Sequence, residues 1–317
     1  MFIAYTICTE NYLPYAKALG ISFIKFNPKY RFIIFVFNIK KSLPQEKSSY
    51  YELIDIESLS LPYYYEMKAR YNDFELSCAL KPFVAEYLLS NILEGALLFY
   101  LDSDMLVFGP FAKAEKTLSN NSILLSPHIT KSFNDETGNP KEETILKAGV
   151  YNAGFWGISK CIESFRFIKW WQEKLRIKCF SKIEEGLFVD QIWLSYVPIF
   201  FEKTIIFKDP GYNVAYWNLN EREIKEINNC FMVNDNNPLI LFHYSGYNIF
   251  HPEEISKYQN RFSFIDMPYL KFIFDIYVDT VIQNDIEKIL KDNKLPPIEE
   301  KNVSSKWHER IFSFFKK

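Results

Sequence analysis

Two carboxylates at the end of an apolar segment are the residues of this chain best suited to chemistry. Asp102 and Asp104 follow the apolar run 97–101, and a second apolar run, 105–108, comes after them. Such a run with aromatic residues predicts a buried strand, and open α/β sheets bind their ligands where strands end. Carboxylates in this spacing offer hard oxygen ligands to Mg²⁺ or Mn²⁺, with phosphate oxygens as co-ligands. The alternative is a turn, because Asp and Ser are good turn formers.

Three further residues could act at the same place. Asp190 and Gln191 lie near the start of a helix predicted over 187–196, and His243 follows an apolar segment. An imidazole as third ligand would favour Mn²⁺ over Mg²⁺. The alternatives are a carboxylate that only meets a helix dipole and a hydrogen-bonded core histidine. We expect the remaining histidines to be surface or capping groups: His128, His251 and His308.

Basic and small residues elsewhere could approach a phosphorylated ligand. Lys81 stands at a predicted helix start, where its charge could meet phosphate or a sugar; an ordinary solvated lysine is the alternative. Asn152 is followed by the small residues Ala153 and Gly154, which allow close approach of the backbone to a ligand. Gly246 could let a backbone N–H reach a phosphate in the same way.

The order of predicted elements is typical of an α/β protein. A strand (1–8), a helix (12–26) and a second strand (32–37) form a βαβ opening, which implies a parallel sheet covered by helices. A helix over 77–93 leads into the strand that carries Asp102. The other predicted elements are, in order, helix 111–118, strand 122–126, loop 131–144, strand 149–159, helix 162–175, strand 203–207, strand 239–242 and helix 269–290.

The composition excludes several classes of protein. The chain has 317 residues, of which 48% are apolar, and a net charge of −2, which suits a globular core and gives no general attraction for nucleic acid. The five cysteines are scattered without a C-x-x-C pair, so we expect reduced thiols in a cytoplasmic protein. We expect no signal peptide and no membrane span, because the apolar runs are short and no basic leader precedes them.

The end of the chain has a different pattern. Apolar and basic side chains alternate there at helical spacing: Trp307, Ile311, Phe314 and Phe315, with Lys306, Arg310, Lys316 and Lys317. After a charged linker over 291–305, this pattern predicts an amphipathic helix over 306–317 of the type that lies on an anionic membrane surface. The alternative is a helix that docks on the protein's own core or on a partner.

Six segments in order carry a resemblance to a known family. They are 6–15 (TICTENYLPY), 80–83 (LKPF), 101–104 (LDSD), 151–157 (YNAGFWG), 189–192 (VDQI) and 242–247 (FHYSGY). Together they resemble the GT-A glycosyltransferases that use nucleotide sugars, and among these the family 8-like bacterial enzymes. The chain departs from that pattern in two places: Ile192 replaces the second Asp of an Asp-Gln-Asp segment, and no Lys-Pro-Trp follows Gly246.

The resemblance implies a role for each candidate residue. Three would hold Mn²⁺ or Mg²⁺: Asp102, Asp104 and His243. Nine would contact the nucleotide-sugar donor, the first three at its base: Thr6, Thr9, Tyr12, Lys81, Asp102, Ser103, Asn152, Ala153 and Gly246. Two would flank the anomeric carbon: Asp190 and Gln191.

The stereochemistry of transfer decides the roles of Asp190 and Gln191. If the configuration at the anomeric carbon is inverted, Asp190 would deprotonate the acceptor hydroxyl. If the configuration is retained, the leaving phosphate oxygen can take the proton, and Asp190 or Gln191 would stabilise the cationic sugar. The resemblance favours retention.

The resemblance also implies the architecture and the activity. We expect a Rossmann-like, mostly parallel GT-A sheet flanked by helices, with a catalytic domain over 1–265 and a helical extension over 266–317. The expected activity is metal-dependent sugar transfer from a UDP-sugar to a glycan, lipid-linked or protein acceptor in surface glycan synthesis. It would take place at the cytoplasmic face of a bacterial-type membrane. The alternatives are a haloacid dehalogenase-type phosphatase and a non-catalytic sugar-nucleotide-binding relative.

Overall fold

A computed structural model describes residues 2–40, 43, 48–135, 137–228 and 230–284. The predicted terminal helix, its linker and the end of the helix predicted over 269–290 lie outside these residues. Within the described ranges, no helix combines the length and the apolar character needed to cross a bilayer.

The first part of the chain opens with strand, helix and strand, as predicted. In order they are β1 (Phe2–Thr9), α1 (Leu13–Phe26), β2 (Tyr30–Phe37), β3 (Glu52–Asp55), α2 (Tyr64–Arg70), α3 (Asp73–Ser90), β4 (Leu97–Leu101) and β5 (Met105–Val107). Short 3₁₀ turns cover Glu10–Tyr12 and Ile56–Leu59.

The second part is less regular. Its elements are α4 (Ala112–Leu118), β6 (Ile123–Pro127), α5 (Glu142–Ala148), β7 (Tyr151–Ser159), α6 (Ile162–Lys178), β8 (Ser181–Lys182), β9 (Leu187–Phe188), α7 (Gln191–Leu194), α8 (Val197–Phe200), β10 (Thr204–Ile206), β11 (Ile224–Ile227), β12 (Cys230–Val233), β13 (Asn237–Pro238), β14 (Leu241–His243) and α9 (Pro268–Ile282). Further 3₁₀ turns cover Ile183–Glu185 and Tyr216–Asn218.

A mostly parallel sheet forms the centre of the molecule, as predicted. In the described part of the chain it has seven strands in the order β10-β6-β7-β4-β1-β2-β3. Strand β7 runs antiparallel to both of its neighbours. Its amino end therefore meets the carboxyl end of β4, and the backbone N–H of Asp102 donates to the carbonyl of Gly154 at 2.9 Å.

Apolar side chains fill both faces of this sheet. One cluster joins β1, β2 and β4 to α2, α3 and α6, and a second joins the same strands to α1 and α4. The strand patterns are almost continuously apolar because both faces are covered.

A separate two-stranded antiparallel sheet begins where the acidic motif ends. Strand β14 pairs with β5 so that His243 stands opposite Met105, and the N–H of Tyr244 donates to the carbonyl of Asp104 at 2.8 Å. A third apolar cluster behind this pair includes residues of α9. The domain boundary at residue 265 stays a prediction.

The helix before the acidic motif begins earlier than predicted. Asn72 caps α3, since its side chain accepts the N–H of Glu75 at 2.9 Å, and the Glu75 carboxylate accepts the N–H of Asn72 at 3.2 Å. This reciprocal capping box starts the helix at Asp73. Lys81 therefore lies in the middle of a helix, not at its start, which corrects the prediction.

Candidate active site

Three potential ligand groups meet at the end of β4. Asp102 and Asp104 lie on either side of the turn between β4 and β5, and β14 delivers His243 from far along the chain. One ligand atom from each lies within 4.8 Å of the others. The Nε2 atom of His243 is 3.1 Å from Asp104 Oδ1 and 3.9 Å from Asp102 Oδ2. The sequence-predicted trio is therefore brought together.

This cluster fits a divalent cation. Two carboxylates and an imidazole are a suitable donor set for Mn²⁺ or Mg²⁺. Burial raises the pKa of Asp104, but the neighbouring His243 outweighs it and holds the pKa below its ordinary value. The residue at 154 must be glycine, because an added Cβ would lie 2.6 Å from Asp102 Oδ2 and 2.7 Å from His243 Cε1. The missing side chain at Gly154 leaves the space that the Asp102 carboxylate and the His243 ring occupy.

A buried lysine links the cluster to Asp190. The ammonium of Lys81 lies 2.8 Å from Asp190 Oδ2 and 3.2 Å from Asp102 Oδ1, and it donates to the carbonyl of Ala153 at 3.1 Å. It also lies 4.5 Å from the centre of the Tyr100 ring. Burial alone would lower the pKa of Lys81, but the two carboxylates raise it well above its ordinary value. Lys81 is thus a buried, ion-paired residue, and the solvated alternative is wrong.

Tyr100 was not singled out by the sequence, yet its hydroxyl donates to Asp102 Oδ1 at 2.7 Å. Tyr100 lies near the end of β4, and Asp102 follows two positions later, directly after the strand. Residues two apart in an extended backbone point to the same side. Asp102 is consequently held by Tyr100 and Lys81 on one oxygen, and its other oxygen faces His243.

Asp190 and Gln191 are both buried, with 2% and 8% of their surface exposed. Of the helix predicted over 187–196, only Gln191–Leu194 is helical, as α7, because the chain is still in β9 up to Phe188. Val189 between them takes a positive φ of 39°, which interrupts any helix. Burial raises the pKa of Asp190, although Lys81 acts in the opposite direction.

The residues predicted to contact the base lie along and beyond β1. Thr6 is fully buried, and its Oγ1 has no hydrogen-bond partner among the described residues. Thr9 ends the strand, and Tyr12 closes the following 3₁₀ turn with 52% of its surface exposed. Tyr12 thus precedes the helix in which it was predicted. Partial burial, and after it the charge of Asp104, raise the pKa of Tyr12.

A loop after β14 folds back onto Gly246. This glycine has a φ of +72°, and an added Cβ would lie 2.5 Å from Ser256 Oγ and from the Tyr258 ring. The Ser256 hydroxyl donates to the carbonyl of Ser245 at 2.8 Å, and the N–H of Lys257 donates to that of Gly246 at 3.2 Å. The exposed Lys257 is thereby placed beside segment 242–247. The sequence analysis had assigned no role to a basic residue in this part of the chain.

The buried side-chain amide of Asn152 belongs to a polar network that the sequence did not reveal. Its Nδ2 lies 3.3 Å from His128 Nε2, and its Oδ1 accepts from Asn213 Nδ2 at 3.0 Å. Asn213 Oδ1 in turn lies 3.2 Å from His243 Nδ1. His128 is therefore a buried member of the site and not a surface or capping group, which corrects the prediction. His251 is exposed as predicted, and His308 lies outside the described residues.

Burial of His128 leads to a prediction for the pH dependence of stability. Burial lowers the pKa of His128 from 6.5 to about 4. The unfolded chain therefore binds a proton that the folded chain does not, and stability is lost as the pH falls through this window. We expect the free energy of unfolding to drop by about 3 kcal/mol from this group between neutral pH and pH 4.

Urea titrations across that pH range, on the wild type and on His128→Gln, measure this contribution. In the variant, the free energy of unfolding should fall less steeply with decreasing pH, and the part that remains comes from other acid-sensitive groups. Parallel pH profiles of the two proteins would contradict a buried, neutral His128.

Comparison with known proteins places this site in a known architecture. No family model matches the chain. It is 24% identical to the uncharacterized protein YfnF of Bacillus subtilis, over 75% of this chain and 77% of YfnF. Among solved structures it is similar to the galactosyltransferase LgtC, at 15% identity and a TM-score of 0.49 over 98% of this chain and all of LgtC. It is also similar to the bifunctional glycosyltransferase WbbM, at 14% identity and a TM-score of 0.52.

The match to WbbM covers 91% of this chain but only 51% of WbbM, so the chain spans about half the length of that protein. At this level of identity the likeness concerns the fold alone. Residues 2–284, apart from the gaps named above, thus have the α/β fold of the GT-A glycosyltransferases.

Proposed function

We propose that the protein is a metal-dependent glycosyltransferase that takes a sugar from a nucleotide diphosphate sugar, with UDP as the nucleotide. The observation that carries the proposal is the convergence of Asp102, Asp104 and His243 at the carboxyl end of β4 in a GT-A fold. Departure of a diphosphate builds negative charge on its β-phosphate. When bound by these three side chains, Mn²⁺ or Mg²⁺ supplies Lewis-acid stabilisation of that charge.

The chain's own residues support that task in distinct ways. Tyr100 and Lys81 hold one oxygen of Asp102, which leaves the other oriented toward His243. Beside Gly246, the ammonium of Lys257 lies over the Tyr258 ring, at 4.9 Å from its centre, and could turn to the diphosphate. Exposed positive charge at this point would offset the phosphate charge that remains.

The position of Asp190 favours charge stabilisation over proton abstraction. A general base must reach the proton that it removes. Asp190 is only 2% exposed and lies 2.8 Å from the Lys81 ammonium, so its carboxylate is engaged inside the protein. A negative group fixed beneath the donor sugar would instead stabilise positive charge at the anomeric carbon. We therefore propose transfer with retention of configuration, with Asp190 and Gln191 near the anomeric carbon.

A nucleotide-binding measurement tests the proposal. We expect UDP with Mn²⁺ to stabilise the full chain by about 2–3 kcal/mol at a hundredfold excess over Kd. EDTA should abolish this shift, and uridine, which lacks phosphate, should give little of it. Donor hydrolysis with a panel of nucleotide sugars then identifies the sugar.

Each alternative predicts a different outcome. Metal-dependent nucleotide binding without turnover of any common donor would favour a non-catalytic binding protein. Release of phosphate from simple phosphoesters without a sugar acceptor would favour the phosphatase. Absence of a UDP shift with either cation would overturn the proposal.

The acceptor side of the proposal rests on sequence. We place the enzyme in surface glycan synthesis at the cytoplasmic face of a membrane, because residues 306–317 combine basic and aromatic side chains at helical spacing. The full chain should sediment with anionic liposomes, and a chain that ends at Val303 should not. Equal sedimentation of the two proteins would remove the membrane role.

A further inference from the structure

Four buried side chains form an unbroken chain of hydrogen bonds between two histidines. It runs from His128 through Asn152 and Asn213 to His243. None of these residues is more than 7% exposed. Because each amide has one donor end and one acceptor end, the orientation of one group dictates that of the next. The direction of the whole chain can therefore be worked out from any group whose role is certain.

The backbone N–H of Gly154 is that group, since it can only donate. It donates to Asn152 Oδ1 at 3.1 Å, which identifies this atom as the oxygen. The other end of the Asn152 amide is then the NH₂ group, which lies 3.3 Å from His128 Nε2. His128 must accept there, so its ring proton is on Nδ1.

The same reasoning runs in the other direction. Asn152 Oδ1 also accepts from Asn213 at 3.0 Å, so the Asn213 atom is its NH₂ nitrogen. Asn213 therefore turns its oxygen to His243 Nδ1, at 3.2 Å. That ring nitrogen must carry a proton. In the neutral ring, Nε2 is left with its lone pair. The Asp104 carboxylate, 3.1 Å from Nε2, is the acceptor that competes with Asn213 for the ring proton when no cation is bound.

We propose that Asn152 and Asn213 are positioning residues that keep neutral His243 in its Nδ1–H form, with Nε2 free to bind the cation beside Asp102 and Asp104. The cation itself rests on the proposed function above, but the tautomer does not. A fixed outer partner of this kind sets the ring orientation and strengthens a histidine ligand.

The backbone around Asn213 is built to hold this arrangement. Asn213 has a φ of 52°, in the left-handed region that asparagine tolerates. The amide of Asn218 donates to the carbonyls of both Asn213 and His128, at 3.1 Å each, which ties the two ends of the network together. The Trp217 ring packs edge-on against both His128 and His243, at 5.2 and 5.1 Å between centres. Neither imidazole can easily turn over in this setting.

Nitrogen-15 NMR of histidine in the full chain tests the proposal, because the protein has only four histidines. Spectra are recorded in EDTA up to about pH 9, so that the neutral rings are seen, and are assigned with His128→Gln and His243→Gln. We expect both rings to carry their proton on Nδ1. A neutral His243 with its proton on Nε2 in the wild type would overturn the proposal.

Two variants address the two halves of the network. Asn152→Asp replaces the NH₂ group that faces His128 by an oxygen, so His128 should become protonated on Nε2 while His243 stays unchanged. Asn213→Gly suits the positive φ and removes the partner of His243. We expect the Nε2–H form of His243 to appear and the affinity for Mn²⁺, measured by EPR without nucleotide, to fall about tenfold or more.

Ser126→Ala is the matched control. It removes the other acceptor of the Asn213 amide, at 3.1 Å, and leaves the chain of bonds intact. It should keep the wild-type tautomers and affinity. An Asn213→Gly protein with unchanged tautomer and Mn²⁺ affinity would overturn the proposal. The expected tautomers in a wild type that binds no Mn²⁺ would instead count against the proposed metal-dependent function.

Discussion

Replacing Asp104 by alanine is expected to lower sugar transfer by about 10³-fold or more while the chain remains folded. The carboxylate lies 3.1 Å from His243 Nε2 and is one of the three groups that converge at the end of β4. Loss of a group that stabilises transition-state charge typically costs 10²–10³-fold, and loss of a metal ligand adds to that. The side chain is 30% exposed, so its removal opens no large cavity in the core.

Initial rates with a saturating donor, together with circular dichroism and the melting temperature, separate activity from folding. Glu173→Ala is a suitable control, because it removes an exposed carboxylate from α6, away from the cluster. Its activity should equal that of the wild type. Near-normal transfer by Asp104→Ala would show that this carboxylate has no part in the reaction.

The second large effect concerns Lys81. Lys81→Met keeps the apolar stem but removes the ammonium that lies between Asp190 and Asp102. Asp190 is then left as a buried, uncompensated charge. We expect the free energy of unfolding to fall by about 3–5 kcal/mol, the usual result of removing one partner of a buried ion pair.

Urea denaturation of Lys81→Met and of the double variant Lys81→Met with Asp190→Asn checks this explanation. The double variant should recover part of the lost stability, since no unpaired carboxylate remains at 190. The deficit of the single variant should also shrink on acidification, because the pKa of Asp190 is raised in the folded protein and the carboxyl can take up a proton. A deficit below about 1 kcal/mol would indicate that the ion pair contributes little to the fold.

Local patterns predicted most of the elements that position the site. The apolar run before Asp102 is β4, the strand–helix–strand opening is β1, α1 and β2, and the metal trio is assembled as expected. These predictions succeed because a buried parallel strand needs a continuous apolar run, and a motif at its end needs polar ligands. The errors lie where the backbone is set by special conformations, as at Val189, whose positive φ keeps the first part of the helix predicted over 187–196 from forming.

The sequence alone therefore determined the α/β order of the elements and the acidic pair Asp102 and Asp104, because both depend on residue type and short-range spacing. His243 lies far along the chain, and its place beside that pair was implied by the family resemblance. Only the tertiary structure decided which partners those ligands have. Lys81 meets Asp190 across 109 positions of sequence, and Asn213 meets Asn152 across 61. Such contacts join segments that lie far apart in the sequence, and no local pattern specifies them. The burial of His128 depends in the same way on distant segments, since Asn152 and Trp217 contact its ring.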